Sequence, residues 1–278
     1  MITHRLQNKQ VSVDIHPEVG GRISSFVHLR SGYDYVWCNT GIPNRREEPG
    51  TEYDPNFFGG LEELLPNDLE ENIDGVDCPD HGELWTLELE TLEATDRLVK
   101  LEGELPLFRL RVEKSITLEH NACVVYSRIT NMSNEKRHFL WKLHAALKIE
   151  PGDRIDCEAA RYTAVDPEWS RRKGFGHWEG EEIPAFDGTT EFLYLQGLRS
   201  GTMSWSNRER KFEIQFDTEV FPYAWYFASY GGFFDHHVAI LEPCTTMPKS
   251  VVEAAKMHQC SALGPNDSLE TTYRYVAS

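Results

Sequence analysis

The stretch Phe108-Arg109-Leu110-Arg111-Val112-Glu113-Lys114-Ser115-Ile116-Thr117-Leu118 puts apolar side chains at alternate positions. Phe108, Leu110 and Val112 share one parity, and Ile116 and Leu118 keep it. A period of two marks a strand with one buried face, because successive side chains point to opposite sides of a sheet. The pattern recurs at Val11, Val13 and Ile15, at Phe212, Ile214 and Phe216, and at Leu269, Thr271, Tyr273 and Tyr275. Turn chemistry separates the runs, as at Gly20-Gly21, Gly59-Gly60, Pro151-Gly152-Asp153 and Gly231-Gly232. Many short strands with regular punctuation predict an all-β sandwich or barrel. One short helix is expected, starting at Pro248 and running through Ser250 to His258, with Gly264-Pro265 as its stop.

The chain has 278 residues, with 28 Lys and Arg against 45 Asp and Glu, a formal net charge of −17. Such an acidic balance argues against a nucleic-acid partner and against docking on an anionic membrane. No window approaches the roughly 18 apolar residues of a membrane span. The first ten residues hold no apolar segment, so no signal peptide is expected and the predicted location is cytoplasmic. The six cysteines are far apart and form no C-x-x-C pair, which suggests free thiols. No composition shift marks a boundary, so residues 1–278 read as one domain. Two long connections, Pro43 to Asp80 and Tyr162 to Gly188, are poor in strand signal; connections of that length are usually functional or partly disordered.

Three constellations can carry chemistry. In Asp80-His81-Gly82-Glu83-Leu84-Trp85, His81 stands where a loop is expected to enter a strand; it is either a loop histidine bonded to Asp80 or a group pointing into a concave face. In Phe139-Leu140-Trp141-Lys142-Leu143-His144-Ala145-Ala146-Leu147 the odd positions are apolar, so Lys142 and His144 project together from the other face. That face is either solvent or a wet cavity, since two ionisable groups on so apolar a strand are costly without partners. In Ile240-Leu241-Glu242-Pro243, Glu242 ends an apolar run and Pro243 is expected to end the pairing. An isolated carboxylate there would have a raised pKa and suit general-base work, unless it is a surface glutamate. His177 and His236-His237 lack ligand spacing for zinc, so no metal site is expected. No G-x-G-x-x-G opens a helix, and there is no P-loop or G-x-S-x-G.

Taken in order, these pieces resemble the aldose 1-epimerase (galactose mutarotase-like) family. Gly20-Gly21-Arg22 to Phe26 is similar to its first glycine turn and strand. Phe58-Gly59-Gly60 with Leu65-Pro66 resembles its Gly-Gly…Phe-Pro segment. Asp80-His81-Gly82 looks like its His-Gly loop, Trp141 to His144 its strand-borne histidine, and Ile240 to Pro243 its late Glu segment. The resemblance implies a β-supersandwich of antiparallel sheets with one sugar-binding cleft. It implies an isomerase that interconverts sugar anomers by acid–base ring opening and reclosure. In that reading Glu242 is the general base, His144 the general acid and His81 a ligand of the sugar's ring or anomeric oxygens. No metal or organic cofactor is required, because a carboxylate and an imidazole can exchange roles in the two directions. Ala145-Ala146-Leu147 departs from the family's aromatic-rich segment after the second histidine. Lys142 beside His144 is unusual, and could hold a carboxylate or phosphate of the substrate. A phosphorylated sugar would need a basic pocket, for which Lys142 and Arg22 are the best candidates; without it a neutral sugar is the better expectation. The other reading is a carbohydrate-binding or sensing protein that kept the cleft and lost turnover. Oligomeric state stays open.

Overall fold

The computed structural model describes residues 1–278. Its core lies between two antiparallel sheets. The first has eleven strands. Six contiguous strands form its middle: β1 (Arg22–His28), β2 (Leu61–Leu64), β3 (Lys142–Lys148), β4 (Thr189–Gln196), β5 (Tyr223–Tyr230) and β6 (His237–Cys244). They lie side by side in the order β1, β2, β3, β6, β5, β4. The second sheet has nine strands and is built around Leu110–Glu119, Ala122–Asn131 and Ser268–Ala277. The period-two runs of the sequence fall on strands, Val11–His16, Leu110–Glu119, Lys211–Gln215 and Ser268–Ala277, except at two ends: Phe108 lies in a turn before its strand and Phe216 just past its own. No helix is long and apolar enough to cross a membrane, and all six cysteines are free thiols.

The alternation of β3 sends Leu143, Ala145 and Leu147 into the main core between the sheets. Ala146 points the other way, into a smaller apolar cluster with Tyr53, Phe57, Leu64, Trp85, Phe227, Val238 and Ile240. The first sheet is therefore covered on both faces at its centre, which is why Lys142 and His144 are buried rather than on a solvated outer face.

Three expectations change. The helix α1 runs Val251–Met257 and starts after Pro248, because the Ser250 hydroxyl accepts from the Glu253 amide and so occupies the N-cap. Pro243 does not end the pairing: it faces Ala224, and the ladder with β5 continues to Cys244. The stretch 43–80 is not strand-free. It contains β2, in the middle of the large sheet, and a small hairpin, Glu71–Ile73 with Val76–Cys78.

That central strand, β2, carries two glutamates in succession, and all four of its residues are buried. Glu63 points into the core with Leu61. There Lys114 lies 3.1 Å from its Oε1, Trp141 Nε1 donates to Oε2 at 2.8 Å, and the Tyr273 hydroxyl donates to Oε1. Lys114 spends a further hydrogen bond, 2.7 Å, on the Gly20 carbonyl. Lys114 shares the parity of Val112 and Ile116, so the strand that defines the core face also delivers a cation into it. Removing one member of a buried ion pair leaves the other uncompensated and typically costs about 3–5 kcal/mol. Glu63→Gln is expected to lose stability on that scale in urea or guanidinium unfolding. A loss below about 1 kcal/mol, the scale of an exposed pair, would show that Lys114 is compensated elsewhere.

Candidate active site

On the face of the large sheet away from the main core lies a cavity of about 670 Å³. Its floor is made by Lys142 and His144 of β3 and Ile240 and Glu242 of β6. The two long connections form the rest. Residues 43–80 supply Tyr53, Asp54, Phe57 and Asp68, with His81 just beyond. Residues 162–188 supply Asp166, Glu168 and Trp169. Trp169 packs against Phe227 at 5.4 Å between ring centroids, and Phe227 against Phe233 at 5.4 Å, giving one apolar aromatic wall.

The charged groups of the floor follow from strand register. Ile23 pairs with Leu61, so Arg22 faces Glu62; Glu62 pairs with His144. The pairs Lys142–Cys244 and Ala145–Leu241 bracket the next rung, which sets Glu242 beside His144. Arg22, Glu62, His144 and Glu242 thus form one row across four adjacent strands. Arg22 Nε donates to Glu62 Oε2 at 2.9 Å. The Tyr53 hydroxyl donates to Glu62 Oε1 and lies 3.3 Å from His144 Nδ1. That nitrogen is also 3.6 Å from Glu62 Oε1. Burial opposes ionisation of Glu62, but Arg22 and His144 outweigh it and hold the pKa down at about 2.

Lys142 ties two carboxylates together. Its Nζ is 2.5 Å from Asp68 Oδ1 and 2.7 Å from Glu242 Oε2, and it lies 4.5 Å from the Trp225 ring centroid. The contact with Glu242 is an ion pair, and no other group in the protein bonds Glu242 Oε2. Burial would lower the ammonium's pKa, yet Asp68 and Glu242 raise it well above the ordinary lysine value. Glu242 is therefore not the isolated carboxylate at a strand end that its sequence context suggests.

His81 closes the site from the loop side. It stacks on Tyr53 at 4.1 Å, and its Nδ1 is 2.8 Å from Asp80 Oδ1. Asp68 Oδ1 lies 3.8 Å from Nε2. His81 sits in the left-handed backbone region (φ 55°) and leads into a 3-10 turn, Leu84–Thr86, rather than a strand. Gly82 follows at φ 74°, and a Cβ there would stand 2.3 Å from the Leu65 carbonyl oxygen, so only glycine brings the loop this close.

Four of the five residues singled out in the sequence line the cavity: His81, Lys142, His144 and Glu242. Arg22 does not. It is 3% exposed, lies behind Glu62, and gives its remaining bond to Asn44 Oδ1 at 3.2 Å. Lys142 and Arg22 are thus both committed to carboxylates and form no basic pocket. The loop cations are engaged too: Arg171 with Asp187 at 2.8 Å, Arg172 with Glu181, and Lys173 with the Ser170 carbonyl at 2.7 Å. Six carboxylates line the cavity against two lysines, Lys142 and Lys249, and only Lys249 has no carboxylate partner. Tyr53, Asp54, Glu62, Asp68 and Lys249 were not found from sequence. No three His, Cys, Asp or Glu side chains are grouped to hold a metal ion.

No protein-family model matches the chain, and no curated protein matches it in sequence. Solved structures match along its whole length. The Slr1438 protein from Synechocystis sp. PCC 6803 superposes with a TM-score of 0.78 at 15% identity, over 100% of this chain and 96% of that one. A galactose mutarotase-like protein from Lactobacillus casei ATCC 334 gives 0.75 at 13%, over 100% of both. The GalM/aldose epimerase homologue from C. elegans gives 0.72 at 13%, over 100% and 98%. At these identities the likeness is one of fold: the chain has the galactose mutarotase-like, mostly antiparallel β architecture.

The surroundings of His81 make stability depend on pH. Burial would lower its pKa, but Asp68 and the hydrogen bond to Asp80 raise it above the ordinary 6.5. A pKa raised on folding gives stability that is complete below the unfolded value and is lost as pH rises through the folded one. The stability gap between the wild type and His81→Gln should therefore be widest in mild acid and shrink as pH rises through the folded pKa. A gap constant across that window in thermal unfolding would mean that His81 is not held as an imidazolium.

Proposed function

We propose that the cavity binds a neutral aldose and interconverts its anomers by acid–base ring opening and reclosure. The observation that carries this reading is the placement of His144 and Glu242 side by side on adjacent strands at the floor of an aromatic-walled cavity. Anomer exchange requires a base for the anomeric hydroxyl proton and an acid for the ring oxygen, both within reach of one sugar ring. Glu242 is the base and His144 the acid. The open-chain aldehyde rotates about C1–C2, the ring recloses on the other face, and the two groups return the protons with their roles exchanged. Lys142 fixes the Glu242 carboxylate against Asp68 and keeps it from turning away. His81 and Asp54 offer polar contacts to hydroxyls, and Trp169, Phe227 and Phe233 offer the apolar surface on which a sugar ring packs. The solved structures described as mutarotase-like or epimerase homologues support the reading at the level of fold.

The charge of the cavity favours a neutral substrate. Six carboxylates outnumber Lys142, Lys249 and the imidazolium of His81, so the cavity disfavours a phosphate or a uronate carboxylate, and Lys142 and Arg22 are neutralised by their own partners. Anomer-exchange NMR on a panel of free and phosphorylated aldoses tests both points. Free sugars should exchange faster than the buffer rate, and their 6-phosphates should bind more weakly. Exchange at the buffer rate for every sugar, with binding retained, would make the protein a sugar-binding protein instead. Glu242→Gln should slow exchange by about 10²- to 10⁴-fold, the usual worth of a general base, with little loss of sugar affinity. An unaltered rate would remove Glu242 from that role.

A further inference from the structure

A neutral imidazole carries one proton, and the nitrogen that keeps it decides what the other can do. In this site the choice propagates from Arg22. Glu62 is 4% exposed, and Arg22 Nε at 2.9 Å from Oε2 keeps it ionised. An ionised carboxylate only accepts hydrogen bonds. The Tyr53 hydroxyl, in contact with Oε1, therefore donates its single proton to Glu62. With that proton committed, the Tyr53 oxygen can only accept from His144 Nδ1, 3.3 Å away. Glu62 Oε1, 3.6 Å from the same nitrogen, is an acceptor as well. Nδ1 thus faces two acceptors and no donor, while Nε2 has no hydrogen-bond partner in the protein.

From this geometry we infer that Arg22, Glu62 and Tyr53 form a relay that fixes neutral His144 as its Nδ1–H tautomer. Nε2 is then the nitrogen that takes up and releases a proton at the cavity. Glu62 is a positioning residue: it touches no substrate and acts through Tyr53 and His144. Arg22 keeps Glu62 ionised, which gives the cation that misses the cavity its part in the site. The tautomer stands independently of the reaction; its consequence for turnover rests on the anomer-exchange reading.

The test is the tautomer itself. In the sugar-free protein labelled with 15N-histidine, two-bond proton–nitrogen correlation spectra at a pH where His144 is neutral report which ring nitrogen is protonated. The expected result is a protonated Nδ1 and an unprotonated Nε2. A proton on Nε2 overturns the relay. Glu62→Gln keeps the shape but loses the charge, and its amide can donate as well as accept. It should give a mixed or reversed tautomer and, in a protein that exchanges anomers, lower kcat by about 10- to 100-fold, as removal of an orienting partner does at metal-ligating histidines, with KM unchanged. A merely structural role for Glu62 would lower stability and leave the tautomer as it is, so an Nδ1 proton retained in the variant overturns the proposal. If the variant fails to fold, the wild-type spectrum still decides. A wild type with the expected tautomer and no turnover would defeat the anomer-exchange reading alone.

Discussion

Two successive carboxylates on a strand buried on both faces set the terms for the molecule. A charge in such a place is stable only with a cation and further hydrogen bonds around it. Residues 62 and 63 point in opposite directions, so β2 imposes the demand on both sides of the sheet at once. Lys114 from the second sheet meets it on the core side, with Trp141 and Tyr273. Arg22 meets it on the cavity side, with Tyr53 and His144. The first set locks the two sheets to each other; the second sets the row of side chains on which the cavity floor rests. One four-residue strand therefore ties the packing of the sandwich to the geometry of its site.

The same logic governs the cavity's own charges. Lys142 is shared by Asp68 from a long connection and Glu242 from β6, so the loop and the sheet are joined through one buried ammonium. His81 reaches the same Asp68 and is also held by Asp80. In a chain of net charge −17, the three most deeply buried cations, Arg22, Lys114 and Lys142, are all spent on fixing carboxylates. The acidity of the cavity is then a local expression of the whole sequence.

Much of this was legible in the sequence. Period-two runs mark four long or outer strands directly, and the parity of 139–147 puts Lys142 and His144 on one face. β2 was not legible, because Leu61-Glu62-Glu63-Leu64-Leu65 spaces its apolar residues at i, i+3 and i+4, which is as good for a helical turn as for a strand. Most of its partners are also remote: Tyr273 lies 210 residues from Glu63 and Trp141 lies 78 from it. Lys114 left a trace, as the one charge on an otherwise apolar parity. Arg22 was picked out for the right strand and the wrong purpose, since nothing in its neighbours reveals a carboxylate forty positions on. Asp54 and Lys249 lie in connections, where no periodicity marks the direction of a side chain.

The cavity has walls of two kinds. The floor is braced by register and by buried ion pairs, and few of its residues can change without leaving a charge stranded. The aromatic wall of Trp169, Phe227 and Phe233 takes no part in that network, and Trp169 and Phe233 sit on segments between strands. Evolution can therefore vary the two walls at different rates. Substitutions at Trp169 or Phe233 reshape the space open to a ligand while the acid–base row keeps its spacing, and a lineage could change what it accommodates many times over without rebuilding its interior.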